Sequence, residues 1–146
     1  TASLVGSVQV AARVVETGLH KMHEVGFDIN NVVSGFGTCP LAFIAKKDLN
    51  AIGRTNDTVL YAGQAWYTVK ADDNSIEEVI DKLPSSASKD HGTPFYELFK
   101  RYDGDFYKID PLLFSPAEIS INNMNSGNTF HAGQIDPALI RKILLK

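Results

Sequence analysis

The sequence predicts an α+β domain, a mixed or antiparallel sheet with helices packed against it. Three observations lead there. Val8, Ala12, Val15, Leu19 and Met22 recur at spacings of three and four residues, so Gly6 to Val25 predicts a long amphipathic helix. Ala117 to Asn123 and Asn128 to Ala132 predict two strands of a hairpin joined by Met-Asn-Ser-Gly. Helix-like and strand-like segments also follow one another without a regular βαβ rhythm, which disfavours a doubly wound parallel sheet. The chain has 146 residues, 44% of them hydrophobic. That is enough for one compact domain with its own core.

Taken in order, Ser7 is a candidate cap for the first helix and Gly26 a candidate stop. Asn31 to Phe36 is rich in strand formers, and Gly-Phe-Gly-Thr-Cys-Pro (Gly35 to Pro40) reads as the turn that ends it. Thr58 to Val69 predicts one or two strands, with a bend at Ala62-Gly63. Ile76 to Leu83 has a short helical pattern closed by Pro84. The turn formers between Pro84 and Pro94 predict an ordered loop or a mobile flap. Phe95 to Tyr102 predicts a short amphipathic helix. Asp136 to Leu145 predicts a terminal helix capped by Asp136, with Pro137 at its first position.

Charge and composition narrow the function classes. Fourteen basic and 17 acidic residues give a net charge of −3, and the densest basic runs are only Lys46-Lys47 and Lys100-Arg101. That disfavours nucleic-acid binding. No apolar stretch reaches the roughly 18 residues of a membrane span, and no signal-peptide layout opens the chain. Cys39 is the only cysteine, so no internal disulfide forms and a reducing, cytoplasmic setting is expected. The chain lacks an initiator Met and enters almost at once into patterned sequence, which predicts a fragment or a processed chain.

Several residues carry chemistry. Gln9, Arg13, Glu16, His20 and His23 fall in one polar stripe along the rim of the first helix. Arg13 and Glu16, three residues apart, place a guanidinium beside a carboxylate. The plain reading is an exposed ion pair; the functional one is a positioned cation and a tunable base bordering a cleft. Glu16, His20 and His23 also offer three ligand-type side chains, a rival metal reading without a recognised zinc pattern. Gly35 to Pro40 could cradle an anion near Thr38 through backbone N–H groups, or form a tight turn. Cys39 has no local activating base and reads as a small buried residue. Ile52 to Asp57 packs Arg54, Thr55, Asn56 and Asp57 ahead of the expected strand, a density of hydrogen-bonding groups suited to a polar ligand or to an ordinary turn. Phe106 and Ile109 read as core, and His91 and His131 as isolated.

Four stretches together resemble methenyltetrahydromethanopterin cyclohydrolase: TASLVGSVQVAARVVETG, AIGRTND followed by LYAG, LPSSAS, and DFYKIDPLLFSPA. They lie in order over nearly the whole chain. The resemblance implies that residues 1–146 are the C-terminal half of a two-domain cyclohydrolase whose N-terminal half is absent. It implies reversible hydrolysis of the methenyl bridge of 5,10-methenyltetrahydromethanopterin to the 5-formyl form, in methanogenesis or methylotrophy. It further implies no metal or other prosthetic group, a homotrimer, a cleft between two domains, and Arg13 and Glu16 as the catalytic pair. Ser3, Ser7, Thr38, Arg54 and Asn56 are candidate substrate-binding residues on side-chain chemistry alone. A non-catalytic pterin-binding or oligomerisation module, and a metal-dependent hydrolase, are the alternative readings.

Overall fold

A computed structural model describes residues 2–144. Among the described residues six α-helices and four strands form an α+β fold in the order α1 (Leu4–Ala11), α2 (Val14–Glu24), β1 (Val32–Thr38), α3 (Asp48–Ala62), β2 (Gln64–Val69), α4 (Asp73–Ile80), α5 (Phe95–Arg101), β3 (Glu118–Asn123), β4 (Thr129–Gly133) and α6 (Pro137–Leu144). The strands lie in the order β1-β2-β3-β4. The outer pairs are antiparallel and the central β2–β3 pair is parallel, so the sheet is mixed. The expected hairpin is β3–β4, and α6 begins where predicted, with the Asp136 carboxylate accepting the Leu139 N–H at 2.8 Å. Leu145, the expected end of that helix, lies outside the described residues.

The predicted helix over 6–25 is two helices. Arg13 sits between them with φ −86° and ψ 4°, and Ser3 rather than Ser7 caps the first, accepting from the Gly6 N–H at 3.0 Å. The two halves serve different surfaces: α1 lies against α3, and α2 lies on β1 and β2. One apolar stripe therefore spans a break that its periodicity does not reveal. Gly26, at φ 89°, stands just past α2 as expected.

Gly35 to Thr38 continue β1 in register with β2 and do not form a turn. Their glycines answer a packing need. A Cβ on Gly35 would stand 2.8 Å from Val15 Cγ1, and one on Gly37 would stand 2.7 Å from Val14 Cγ1. Bare backbone here lets α2 lie close on the sheet.

The largest departure is α3, which occupies residues expected to be loop and strand. Thr55, Asn56 and Thr58 would ordinarily compete with helical hydrogen bonding, but here they fold back onto it. Thr55 Oγ1 donates to Ala51 O at 2.8 Å, Asn56 Nδ2 to Ile52 O at 2.8 Å, and Thr58 Oγ1 to Thr55 O at 2.8 Å. Only Gln64–Val69 of the predicted strand region is strand, with Gly63 capping α3 before it.

Two cores result. Ala65, Tyr67, Val69, Ile119 and Ile121 on one sheet face bury against Met22 of α2 and Ile76, Val79 and Ile80 of α4. Leu60, Tyr61, Phe95, Leu98, Ile109 and Leu113 form a second core beside α3 and α5. The 84–94 segment is the ordered loop, not the flap. Ser85 Oγ donates to Leu60 O, Ser88 Oγ to Asp110 Oδ2 at 2.7 Å, and Asp90 accepts the Asp110 N–H at 3.1 Å.

Candidate functional site

Arg13 and Glu16 face each other across the first turn of α2. Arg13 Nε donates to Glu16 Oε2 at 3.0 Å and Nη2 to Oε1 at 2.7 Å, a two-pronged fork that fixes the carboxylate plane. The pair spans the start of α2, with Arg13 at the break and Glu16 in the first turn. Both side chains are exposed, at 57% and 63%. The hydrogen bonds from Arg13 hold the Glu16 carboxyl below its usual range, and Glu16 in turn raises Arg13. Glu16 is therefore an ionised acceptor of fixed orientation.

The pair lines a cleft of about 350 Å³. Val10 and His20 flank it on the helix side. Asn56, Val59 and Leu60 of α3 and the rings of Phe106 and Phe114 complete its lining. Among the described residues no three His, Cys, Asp or Glu side chains converge as a metal site, so Glu16, His20 and His23 do not gather. His20 instead lies 3.8 Å from Glu24.

Of the other candidates, Asn56 alone joins this cleft. Ser3 is spent on the α1 cap and Ser7 is buried. Thr38, at the end of β1, donates to Gln64 Oε1 at 3.3 Å and lines a second cavity of about 620 Å³ with Cys39 and Phe43. Arg54 points away from Asn56 into a third cavity beside Asp57, Glu97 and Lys142. A loop spanning Ile52 to Asp57 would have grouped Arg54 and Asn56, whereas a helix turns residues two apart to opposite sides. Cys39 is half-buried; burial pushes its thiol up to about 11, against a smaller opposing effect of Thr58. Burial thus favours the thiol over the thiolate at this position.

Phe106 is the residue the sequence reading misplaced. Ile109 is core as expected, at 1% exposure, but Phe106 is 42% exposed on the cleft wall. Asp105 caps the short turn that carries Phe106, its carboxylate accepting the Tyr107 N–H at 3.0 Å.

A family model described as Cyclohydrolase (MCH) matches residues 1–144. A methenyltetrahydromethanopterin cyclohydrolase of Rhodopirellula baltica is 49% identical over 142 residues, covering 96% of this chain and 43% of the relative. Proteins of the same name from Methylobacterium organophilum and Methanosarcina barkeri are 48% and 46% identical, each covering 96% of this chain. The chain thus spans 43–44% of the length of these relatives.

Proposed function

This chain belongs to the cyclohydrolase family, and on that premise we propose that it supplies one wall of a site hydrolysing the methenyl bridge of methenyltetrahydromethanopterin to the 5-formyl product, with Glu16 as base and Arg13 as its orienter. The observation that carries this reading is the forked Arg13–Glu16 pair on a cleft with an aromatic wall.

The chemistry suits the pair. The methenyl carbon bridges two nitrogens in a planar amidinium cation and is already electrophilic. A water oxygen adds to that carbon as Glu16 takes one of its protons, giving a neutral hydroxyl adduct. The hydroxyl then loses its proton, one bridging nitrogen gains a proton, and the bond from carbon to that nitrogen breaks. The products are the 5-formyl compound and one released proton. A carboxylate held low by Arg13 is a weak base, but the substrate's positive charge lowers the demand on it. That charge also supplies the activation a Lewis acid would give, so the reading includes no metal or prosthetic group.

Arg13 contributes in two ways. It fixes the carboxylate, and its own charge opposes the bound cation more than the partly discharged transition state, a differential effect that raises turnover. The reading extends to the portion of family length that this chain does not span, which would close the cleft, and to a homotrimer working in the cytoplasm. No helix among the described residues is long and apolar enough to cross a membrane.

The test follows loss of the methenyl chromophore on adding the purified chain, alone and with a separately expressed remaining portion of a relative. Catalysed loss that Glu16→Gln lowers on the order of 100-fold or more supports the reading. Binding without turnover under both conditions would make the chain a pterin-binding module. Zinc in the purified protein, with activity lost to a chelator, would favour the metal-dependent alternative.

A further inference from the structure

The outward ring of Phe106 is the least expected feature of the cleft. It stacks on Phe114 with centroids 4.7 Å apart and planes 21° from parallel. Both rings also touch Phe95, at 5.6 and 5.9 Å, and Phe95 is fully buried. The stack is thus rooted in the second core and ends at the cleft. A ring anchored this way is already ordered before any ligand arrives, so little side-chain freedom remains to be lost on binding.

The charges around it matter. The Glu16 carboxylate is held in the Arg13 fork, and His20 lies 3.8 Å from Glu24. The remaining lining residues named for the cleft are neutral. A planar cation entering here meets no carboxylate free of a cationic partner. It does meet aromatic side chains that line the cleft; the quadrupole of such a ring attracts cations over its face, which also stacks with flat neutral rings.

We propose that Phe106, backed by Phe114, is a cation-selective subsite: its ring face holds the planar amidinium-bearing ring of the substrate and discriminates against the reduced pterin, whose ring system carries no cation. This rests on the reading given under Proposed function and assigns the selectivity of that same cleft. Attraction to the ground-state cation is retained only in part as charge is discharged, so Phe106 governs affinity for substrate more than turnover.

The experiment measures dissociation constants, by fluorescence within the mixing time and before turnover, for the methenyl cation and for tetrahydromethanopterin, whose reduced ring system carries no cation. It uses the chain with the Arg13–Glu16 fork intact, with Phe106 as it stands, as Phe106→Leu, and as Phe106→Trp. Leucine keeps apolar bulk and removes the quadrupole; tryptophan strengthens it. The expected result is a roughly tenfold loss of cation affinity in Phe106→Leu, a much smaller loss for the reduced compound, and a preference kept or increased in Phe106→Trp. Equal losses for both compounds in Phe106→Leu, or a preference lost in Phe106→Trp, overturn the subsite. If Phe106→Leu does not fold, Phe106→Trp decides alone on the same ratio. Failure of the Phe106-intact chain to bind either compound overturns the pterin reading itself and the subsite with it. Binding of both with a ratio indifferent to Phe106 overturns the subsite only.

Discussion

The Tyr67 hydroxyl occupies the space where Gly18 would carry a side chain. A Cβ on Gly18 would stand 2.0 Å from Tyr67 Oη, and that hydroxyl donates to Val15 O at 2.7 Å. Tyr67 is fully buried at the centre of β2. The helix carrying Glu16 is therefore seated on the sheet by one phenol lying across one glycine.

Gly18→Ala should destabilise the fold. A methyl group cannot coexist with the hydroxyl unless the ring or the helix moves, an overpacking cost of about 1–3 kcal/mol. Thermal unfolding should show a midpoint lowered by several degrees. Combining Gly18→Ala with Tyr67→Phe should cost less than the sum of the two single changes, because the second removes the atom that clashes with the first. Strict additivity would mean that the hydroxyl does not seat the helix.

Asp57 predicts a pH dependence of stability. Its side chain is buried on α3, and burial pushes the carboxyl up to about 7, against the N–H that Phe95 donates at 2.8 Å and with added repulsion from Glu97. The unfolded value is near 3.8. Between these values the folded chain binds more protons than the unfolded one, so this group makes stability fall as pH rises from about 4 to about 7 and contributes no further change above. The full effect is at most about 4 kcal/mol at 1.36 kcal/mol per unit. Asp57→Asn keeps an oxygen for the Phe95 N–H and should flatten this slope in chemical denaturation at stepped pH. A slope unchanged by the substitution would clear Asp57 of the effect.

Lys21 predicts the opposite sign at higher pH. Its side chain is fully buried, and the ammonium donates to Leu112 O. Burial lowers it from 10.5 to about 8, with Asp110 opposing. Between about 8 and 10.5 the unfolded chain binds the extra proton, so this group makes stability rise with pH across that window. Lys21→Met should remove the rise while leaving Leu112 O short of a donor, which costs about 1–3 kcal/mol. Unfolding curves at pH 8 and 10 for the two proteins give the comparison; parallel curves would refute it.

These groups also show what the sequence could and could not reveal. The α+β class, the β3–β4 hairpin and the capped α6 were legible because local turn chemistry and period agree with the tertiary structure there. The helix α3 was not, because its Thr, Asn and aromatic residues have strand or turn preferences that packing and side-chain bonds to helical carbonyls override. Gly35 and Gly37 looked like a turn because close approach of α2 leaves the same mark on a sequence as a bend. The pairing of Arg13 with Glu16 is legible from spacing, but spacing alone leaves it an exposed ion pair and the catalytic reading rests on the family resemblance; polarity marks Asn56 only as a candidate. Phe106 was not, since a ring on a cleft wall and a ring in a core differ only in what lies across from them.

Arg13 yields the most direct kinetic prediction for the proposed reaction. Its hydrogen bonds hold Glu16 below the usual 4.5, so the acid limb of the pH–rate profile should lie below that value. Arg13→Leu removes both the charge and the fork. The limb should then move up, and kcat should fall because the freed carboxylate no longer has one fixed plane. Arg13→Lys keeps the charge but not the two-pronged geometry, so it should retain part of the rate and leave the limb closer to its original position. If both variants lose activity equally, and only through KM, Arg13 binds substrate and neither orients Glu16 nor acts on the developing neutral adduct.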